Sequence, residues 1–136
     1  LKITCGVALI NHLNETLIAH VTNSFDIWSI PKGLVDGNER YIDTAFREFK
    51  EETGIDISHL PLYFTGHYKY NNKNKSLIGF YSFLPKGEYI DVSKFKCHSF
   101  VKGGFPEVDS FKWLNKNDVN ILHHTQQELL KDIGWI

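Results

Sequence analysis

Polar and apolar positions alternate with different periods along the chain, and each period predicts an element. Residues 2–11 and 15–21 are apolar-rich runs of strand length, joined by the hairpin-sized link His12-Leu13-Asn14. SFDIWSIPKGLVDGNE follows, rich in Gly, Pro, Asn and Asp, and predicts a loop with little room for regular structure. From Tyr41 to Thr53 the pattern becomes helical: at ~100° per residue Ile42, Ala45, Phe46 and Phe49 share one face. Gly54 stands where a helix ends in the left-handed conformation. Residues 62–70 and 75–84 predict two further strands around the polar turn NNKNK. In SLIGFYSFL both alternating faces are apolar, which suits a sheet covered on both sides. Residues 85–106 carry no clear period, VDSFKWL is a short strand, and Thr125-Gln-Gln-Glu128 has the form of a capping box opening a C-terminal helix.

Composition narrows the classes. The chain has 136 residues, 42% hydrophobic and 14% aromatic, enough for the core of one domain spanning 1–136. Net charge is -1 and only Arg40 and Arg47 are arginines, so no basic stripe points to duplex DNA or other nucleic acid. Cys5 and Cys97 are too far apart in sequence to suggest a disulfide framework or zinc knuckle, and reduced thiols make the cytoplasm the expected compartment. No apolar run approaches the ~20 residues of a membrane span. ITCGVALI is too short for a signal peptide and reads as strand. The sequence opens on Leu1 and contains no Met, so its natural start is expected upstream.

The predicted helix is at odds with its own dipole. Glu48, Glu51 and Glu52 fall at i, i+3 and i+4 on a face away from the apolar stripe. Each acid near a helix C-terminus costs about 0.3–1 kcal/mol. Like charges at i, i+4 add roughly 0.2–0.5 kcal/mol, which Arg47 and Lys50 partly relieve. Either this is a solvated acidic helix end, or a hard divalent cation sits there and reverses the repulsion. Spacing alone does not decide.

The flanking residues do. From Gly33 the chain runs GLVDGNERYIDTAFREFKEETGI: Gly33, five residues, Glu39, seven residues, then Arg47-Glu48-Phe49, one residue, Glu51-Glu52, one residue, Gly54-Ile55. This segment resembles the Nudix box at every defined position, including the apolar slots Phe49 and Ile55. WSIPKG upstream and PEVDSFKWL downstream are similar to the family more loosely. The resemblance implies an α+β Nudix fold, a mixed sheet sandwiched between helices. It implies Mg²⁺ or Mn²⁺ held by Glu51 and Glu52, with Glu48 as third ligand or base, Glu39 joining the metal network and the Lys32 carbonyl a further ligand. Arg47 would orient a neighbouring glutamate by a charge-assisted hydrogen bond. Gly33 would let the backbone approach metal or phosphate. Family members differ in their base, and Glu107 is the outside acid expected to act as base or extra ligand, ahead of Asp109.

The implied reaction is water attack on a diphosphate within a nucleoside diphosphate derivative. PKG at Lys32 resembles members that cleave dinucleoside polyphosphates or inositol pyrophosphates. Lys32 is expected to meet phosphate; Lys69, Lys73 and Lys75 flank a turn that can reach a long polyphosphate or simply be solvated. Trp28, Tyr68, Tyr70 and Phe105 are aromatic residues suited to base stacking or to packing. His123-His124 and Cys97-His98 are not expected to form metal or catalytic pairs. The favoured substrate is a dinucleoside polyphosphate or a 5′-phosphorylated RNA end. ADP-ribose and oxidised or ordinary nucleoside triphosphates are the alternatives. A nucleotide-binding sensor domain without turnover is the alternative of another class.

Overall fold

The computed structural model describes residues 1–71, 74–88, 90–101 and 104–136. Among them seven strands form one mixed sheet: β1 (Lys2–Ile10), β2 (Thr16–Val21), β3 (Trp28–Ser29), β4 (Lys32–Leu34), β5 (Tyr63–Lys69), β6 (Lys75–Phe83) and β7 (Val108–Leu114). Two α-helices cover it, α1 (Tyr41–Thr53) and α2 (His124–Asp132). The main path is β3-β2-β1-β6-β5, with β4 added to β1 and β7 to β2. β1 and β6 run parallel from Lys2↔Lys75 to Ile10↔Phe83; the other pairs are antiparallel.

Strand period explains the layers. Cys5, Val7 and Leu9 point to one side of β1 and pack with Ala45 and Phe49 of α1. Ala8 and Ile10 point to the other side and pack with Leu129 and Leu130 of α2. β6 divides likewise, Ile78 and Phe80 toward α1 and Leu77 toward α2. The apolar doubling of SLIGFYSFL is therefore the mark of a helix on each face, the α/β/α arrangement expected.

The loop expected between the hairpin and α1 in fact holds β3 and β4. Pairing with β2 and β1, rather than local propensity, creates these short strands. The hairpin link closes on the Asn11 side chain, which accepts from the N–H groups of Leu13 and Glu15. The capping box at Thr125 is displaced: His123 caps α2, its ring Nδ1 accepting from the Thr125 N–H. A 3₁₀ turn at Lys116–Ile121 leads into α2, and another lies at Val92–Lys94.

The sheet's split positions the site. β1 and β2 share only the register pair Ile10↔Thr16. β1 then pairs with β4, while β2 pairs with β3 and β7. A notch opens between the diverging strands, beside the C-terminal half of α1.

Candidate active site

Helix α1 enters the site through its packing. Phe49 is fully buried against the sheet, and Ile42 and Phe46 pack at the margin of the same core. Gly54 ends the helix with φ 77°, donating its N–H to the Lys50 carbonyl at 2.8 Å. A Cβ there would come within 2.8 Å of the Lys96 carbonyl oxygen, so the turn tolerates no side chain without movement. The irregular segment after β6 serves the same helix end: the N–H groups of Lys96 and His98 donate to the Thr53 and Glu51 carbonyls.

This packing carries two carboxylates out of water. Glu48 and Glu52 are only 8% and 6% exposed. Both line a cavity of about 440 Å³ together with Lys2, Thr4, Lys32, Gly33, Lys75 and Glu107. Burial pushes the Glu52 carboxyl up to about 8, against the pull of the nearby Lys32 ammonium and with help from Glu48 and Glu107. Burial also raises Glu48, with Arg47 opposing and Glu51 and Glu107 adding repulsion.

Arg47 gathers the remaining acids. Its Nε and Nη2 donate to both Glu39 oxygens at 2.8 and 2.9 Å. Nη1 donates to Glu48 at 2.8 Å and to Glu51 at 3.1 Å, and Nη2 also reaches the Leu34 carbonyl at 3.0 Å. The Thr44 hydroxyl donates to Glu39 at 2.6 Å. These bonds, Arg47's first, hold the Glu39 carboxyl down at about 2. Glu51 shares the Arg47 Nη1 with Glu48 but lines a neighbouring depression with Arg47, Lys50, Gly54 and His98 rather than the cavity itself.

The Gly33 backbone lies against the Glu48 carboxylate, and a Cβ at Gly33 would land within it. The Lys32-Gly33 backbone thus lies beside two buried acids, just after a β3–β4 link held by a buried amide. Gln126 of α2 accepts from the Ile30 N–H at 3.0 Å and donates to Ser29 Oγ at 2.9 Å. Sequence reasoning missed Gln126, since nothing in its local pattern separates it from the neighbouring Gln127.

Other expected residues fall in varied places. Glu107 lines the cavity, its backbone tied to Thr22 and Ser99. Asp109 instead accepts from His20 Nδ1 at 2.7 Å. Lys75 lines the cavity with its ammonium over the Tyr70 ring, 4.6 Å from the centroid. Tyr70 stacks on His123 and is not among the cavity's lining residues. Tyr68 is core, its hydroxyl donating to Asp132 at 2.7 Å. Trp28 lies between His20 and the Lys112 ammonium. Phe105 is 38% exposed, outside the cavity lining. Lys73 lies outside the described residues.

Two other arrangements suggest nucleophilic chemistry and fail on geometry. Ser24, His20 and Asp109 adjoin, but the Ser24 hydroxyl donates to the Val21 carbonyl at 2.6 Å and stands 3.4 Å from the imidazole. The Cys5 thiol is buried and pushed up to about 11 chiefly by that burial, far from thiolate chemistry at neutral pH. Both cysteines are free and buried, and no helix among the described residues is long and apolar enough to cross a membrane.

The donor chemistry fits a hard divalent cation. Two buried carboxylates line one cavity, and a glycine leaves space against one of them. Among the described residues no three acidic, histidine or cysteine side chains close on one point as a finished ligand set.

Known proteins share this architecture. Over 98% of this chain and 96% of the other, the fold superposes on an Ap4A hydrolase of C. elegans in a binary complex, with TM-score 0.74 and 23% identity. At that identity the likeness is one of fold. Nudix hydrolase 10 of Arabidopsis thaliana is 39% identical over 99% of this chain, which spans 45% of that protein. An RNA pyrophosphohydrolase of Pelagibacter ubique is 28% identical over 86% of this chain and 78% of its own length. The family model described as NUDIX domain matches residues 2–133, nearly the whole sequence. The box residues around a buried acidic helix end thus sit in the fold they imply, and the chain belongs to the Nudix domain family.

Proposed function

We propose that this chain hydrolyses a diphosphate linkage in a nucleoside diphosphate derivative, with a dinucleoside polyphosphate or a 5′-phosphorylated RNA end as the favoured substrate. The observation that carries this reading is the burial of Glu48 and Glu52, at the helix end that repels them, beside a cavity also lined by lysines. Solvated acids on a helix surface would not lose exposure in this way. Relatives support the same chemistry by their names: a Nudix hydrolase, an RNA pyrophosphohydrolase and, over 38% of this chain, a mouse asymmetrical bis(5′-nucleosyl)-tetraphosphatase.

In this reading Glu48 and Glu52 hold Mg²⁺ or Mn²⁺, with Glu51 and Glu39 completing the network and the Lys32 carbonyl adding an oxygen. When bound, the divalent ion offsets the charge of the diphosphate and lowers the pKa of bound water. Gly33 keeps the space beside Glu48 free of a side chain. Lys32 pairs with a phosphate oxygen as a point charge. Arg47 fixes Glu48 and Glu51 in orientation without itself titrating. Water adds to one phosphorus, the bridging P–O bond breaks, and the water proton passes to a carboxylate. Glu48, Glu51 and Glu107 are the groups for that last role, Glu107 through its place in the cavity wall. Positioning and electrostatics suffice for phosphoryl transfer, so no covalent nucleophile is needed.

The test is turnover on a panel of diphosphate compounds with Mg²⁺ and Mn²⁺, products identified by mass, for wild type and Glu52→Gln. The variant is expected to lose about two or more orders of magnitude in kcat with its circular dichroism unchanged. Near-normal turnover by the variant overturns the assignment. Binding of nucleotide without turnover of any compound by wild type identifies a sensor domain instead.

A further inference from the structure

Thr44 is a buried polar residue that the hydrolytic reading does not use. It lies on α1 one turn before Glu48 and on the same stripe, since Thr44, Glu48 and Glu51 fall at i, i+4 and i+7. Thr44 is fully buried. A hydroxyl has one hydrogen to give, and here two acceptors compete for it. The Arg40 carbonyl, one turn back, stands at 3.2 Å and is the ordinary partner of a helical threonine. The Glu39 carboxylate stands at 2.6 Å. The shorter, charge-assisted bond takes the hydrogen. Thr44 therefore serves Glu39 rather than its own helix.

That bond sorts the two oxygens of Glu39. Oε1 accepts from Thr44, from Arg47 Nη2 at 2.9 Å and from the Asp36 N–H at 3.3 Å. Oε2 accepts from Arg47 Nε at 2.8 Å. Glu39 belongs to neither helix nor strand, so no regular element fixes its side chain. The terminal torsion of a glutamate is otherwise broad, and the buried hydroxyl narrows it. The carboxylate in turn engages Nε and Nη2 of Arg47 together, a fork that fixes the guanidinium plane. Nη1 then meets Glu48 at 2.8 Å and Glu51 at 3.1 Å. A chain of hydrogen bonds thus runs from the Thr44 hydroxyl to a carboxylate in the cavity wall, and such chains strengthen cooperatively.

Resting on the hydrolytic reading for the role of Glu48 as a cation ligand, we propose that Thr44 is a positioning residue. Its hydroxyl fixes the rotation of the Glu39 carboxylate, Glu39 fixes the Arg47 fork, and the fork holds Glu48 in the orientation that meets a divalent cation. Thr44 itself touches neither cation nor substrate.

Calorimetric titration of Mn²⁺ at pH 8 into the full chain tests this, with Thr44→Val and Thr44→Ser beside wild type and thermal melts of each. Valine keeps the shape of threonine without the hydroxyl, and serine keeps the hydroxyl. Thr44→Val is expected to bind Mn²⁺ about tenfold more weakly, as loss of an outer partner of a metal ligand does. Thr44→Ser is expected to bind as wild type does. Should Thr44→Val fail to fold, Thr44→Ala against Thr44→Ser makes the same comparison, the two differing only by the hydroxyl. A melting temperature that falls in Thr44→Val while Mn²⁺ affinity holds gives the hydroxyl a structural role alone and overturns the proposal. Equal weakening in the valine and serine variants overturns it too, because the loss would then not follow the hydroxyl. Wild type that binds no Mn²⁺ overturns the hydrolytic reading and the proposal together, whereas wild-type binding that persists unchanged in Thr44→Val overturns the proposal alone.

Discussion

Burial gives Glu52 a strong electrostatic signature. Its folded carboxyl titrates near 8, above the ordinary carboxylate value of about 4.3. Between those values the metal-free folded state binds a proton that the unfolded chain has released. Stability contributed by this group is therefore full below about pH 4.3 and falls as pH rises toward 8. Thermal melts of metal-free protein from pH 5 to 9 are expected to show that fall, and Glu52→Gln to flatten it. A variant whose melting temperature follows the wild-type slope would contradict the burial argument. Glu39 behaves oppositely. Its depressed carboxyl contributes stability present above about pH 4.3 and lost as pH falls toward 2. Glu39→Gln should remove part of the acid-induced destabilisation seen in melts from pH 5 to 2, and an unchanged acid limb would show that the Arg47 contacts add nothing.

At the scale of elements, helix α1 and strands β3 and β4 bring the site together. Phe49 anchors α1 to the sheet, and Phe49→Ala is expected to cost about 3–5 kcal/mol in chemical denaturation. A cost under about 1 kcal/mol would mean the helix is held otherwise. Gln126 ties α2 to Ser29 and Ile30, in the segment that leads into Lys32. Gln126→Leu leaves the Ile30 N–H without its acceptor and should cost about 1–3 kcal/mol. If the tie also positions Lys32, the variant should raise KM for the diphosphate substrate; an unchanged KM would limit Gln126 to a structural role. The α1 boundaries were legible because apolar period, Gly54 and the acidic cluster all pointed to the same segment. β3 and β4 were not, because their pairing partners lie elsewhere in sequence and the loop composition pointed the other way. The true cap of α2 was obscured for a similar reason: His123 accepts through a ring nitrogen, outside the usual Ser, Thr, Asp and Asn signals.

Across the whole molecule, the helix-on-each-face architecture followed from strands apolar on both sides, and the box residues from a single contiguous segment. What the sequence could not show was which acids share a space. Glu48 and Glu52 line one cavity and Glu51 a neighbouring depression, with Arg47 bonded to both Glu48 and Glu51. Nor could it show that Lys2, 30 residues before Lys32 in sequence, borders the same cavity. The divergence of β1 from β2 makes that cavity, and long-range pairing of this kind leaves no local trace. Cation binding at the buried helix end is the property on which the proposed hydrolysis rests. Calorimetric titration of Mn²⁺ at pH 8 into wild type and the double variant Glu48→Gln/Glu52→Gln measures it directly. Saturable binding by wild type, weakened about 100-fold or more in the double variant, is the expected result. Equal Mn²⁺ affinity in the two proteins would place the cation elsewhere and contradict the account.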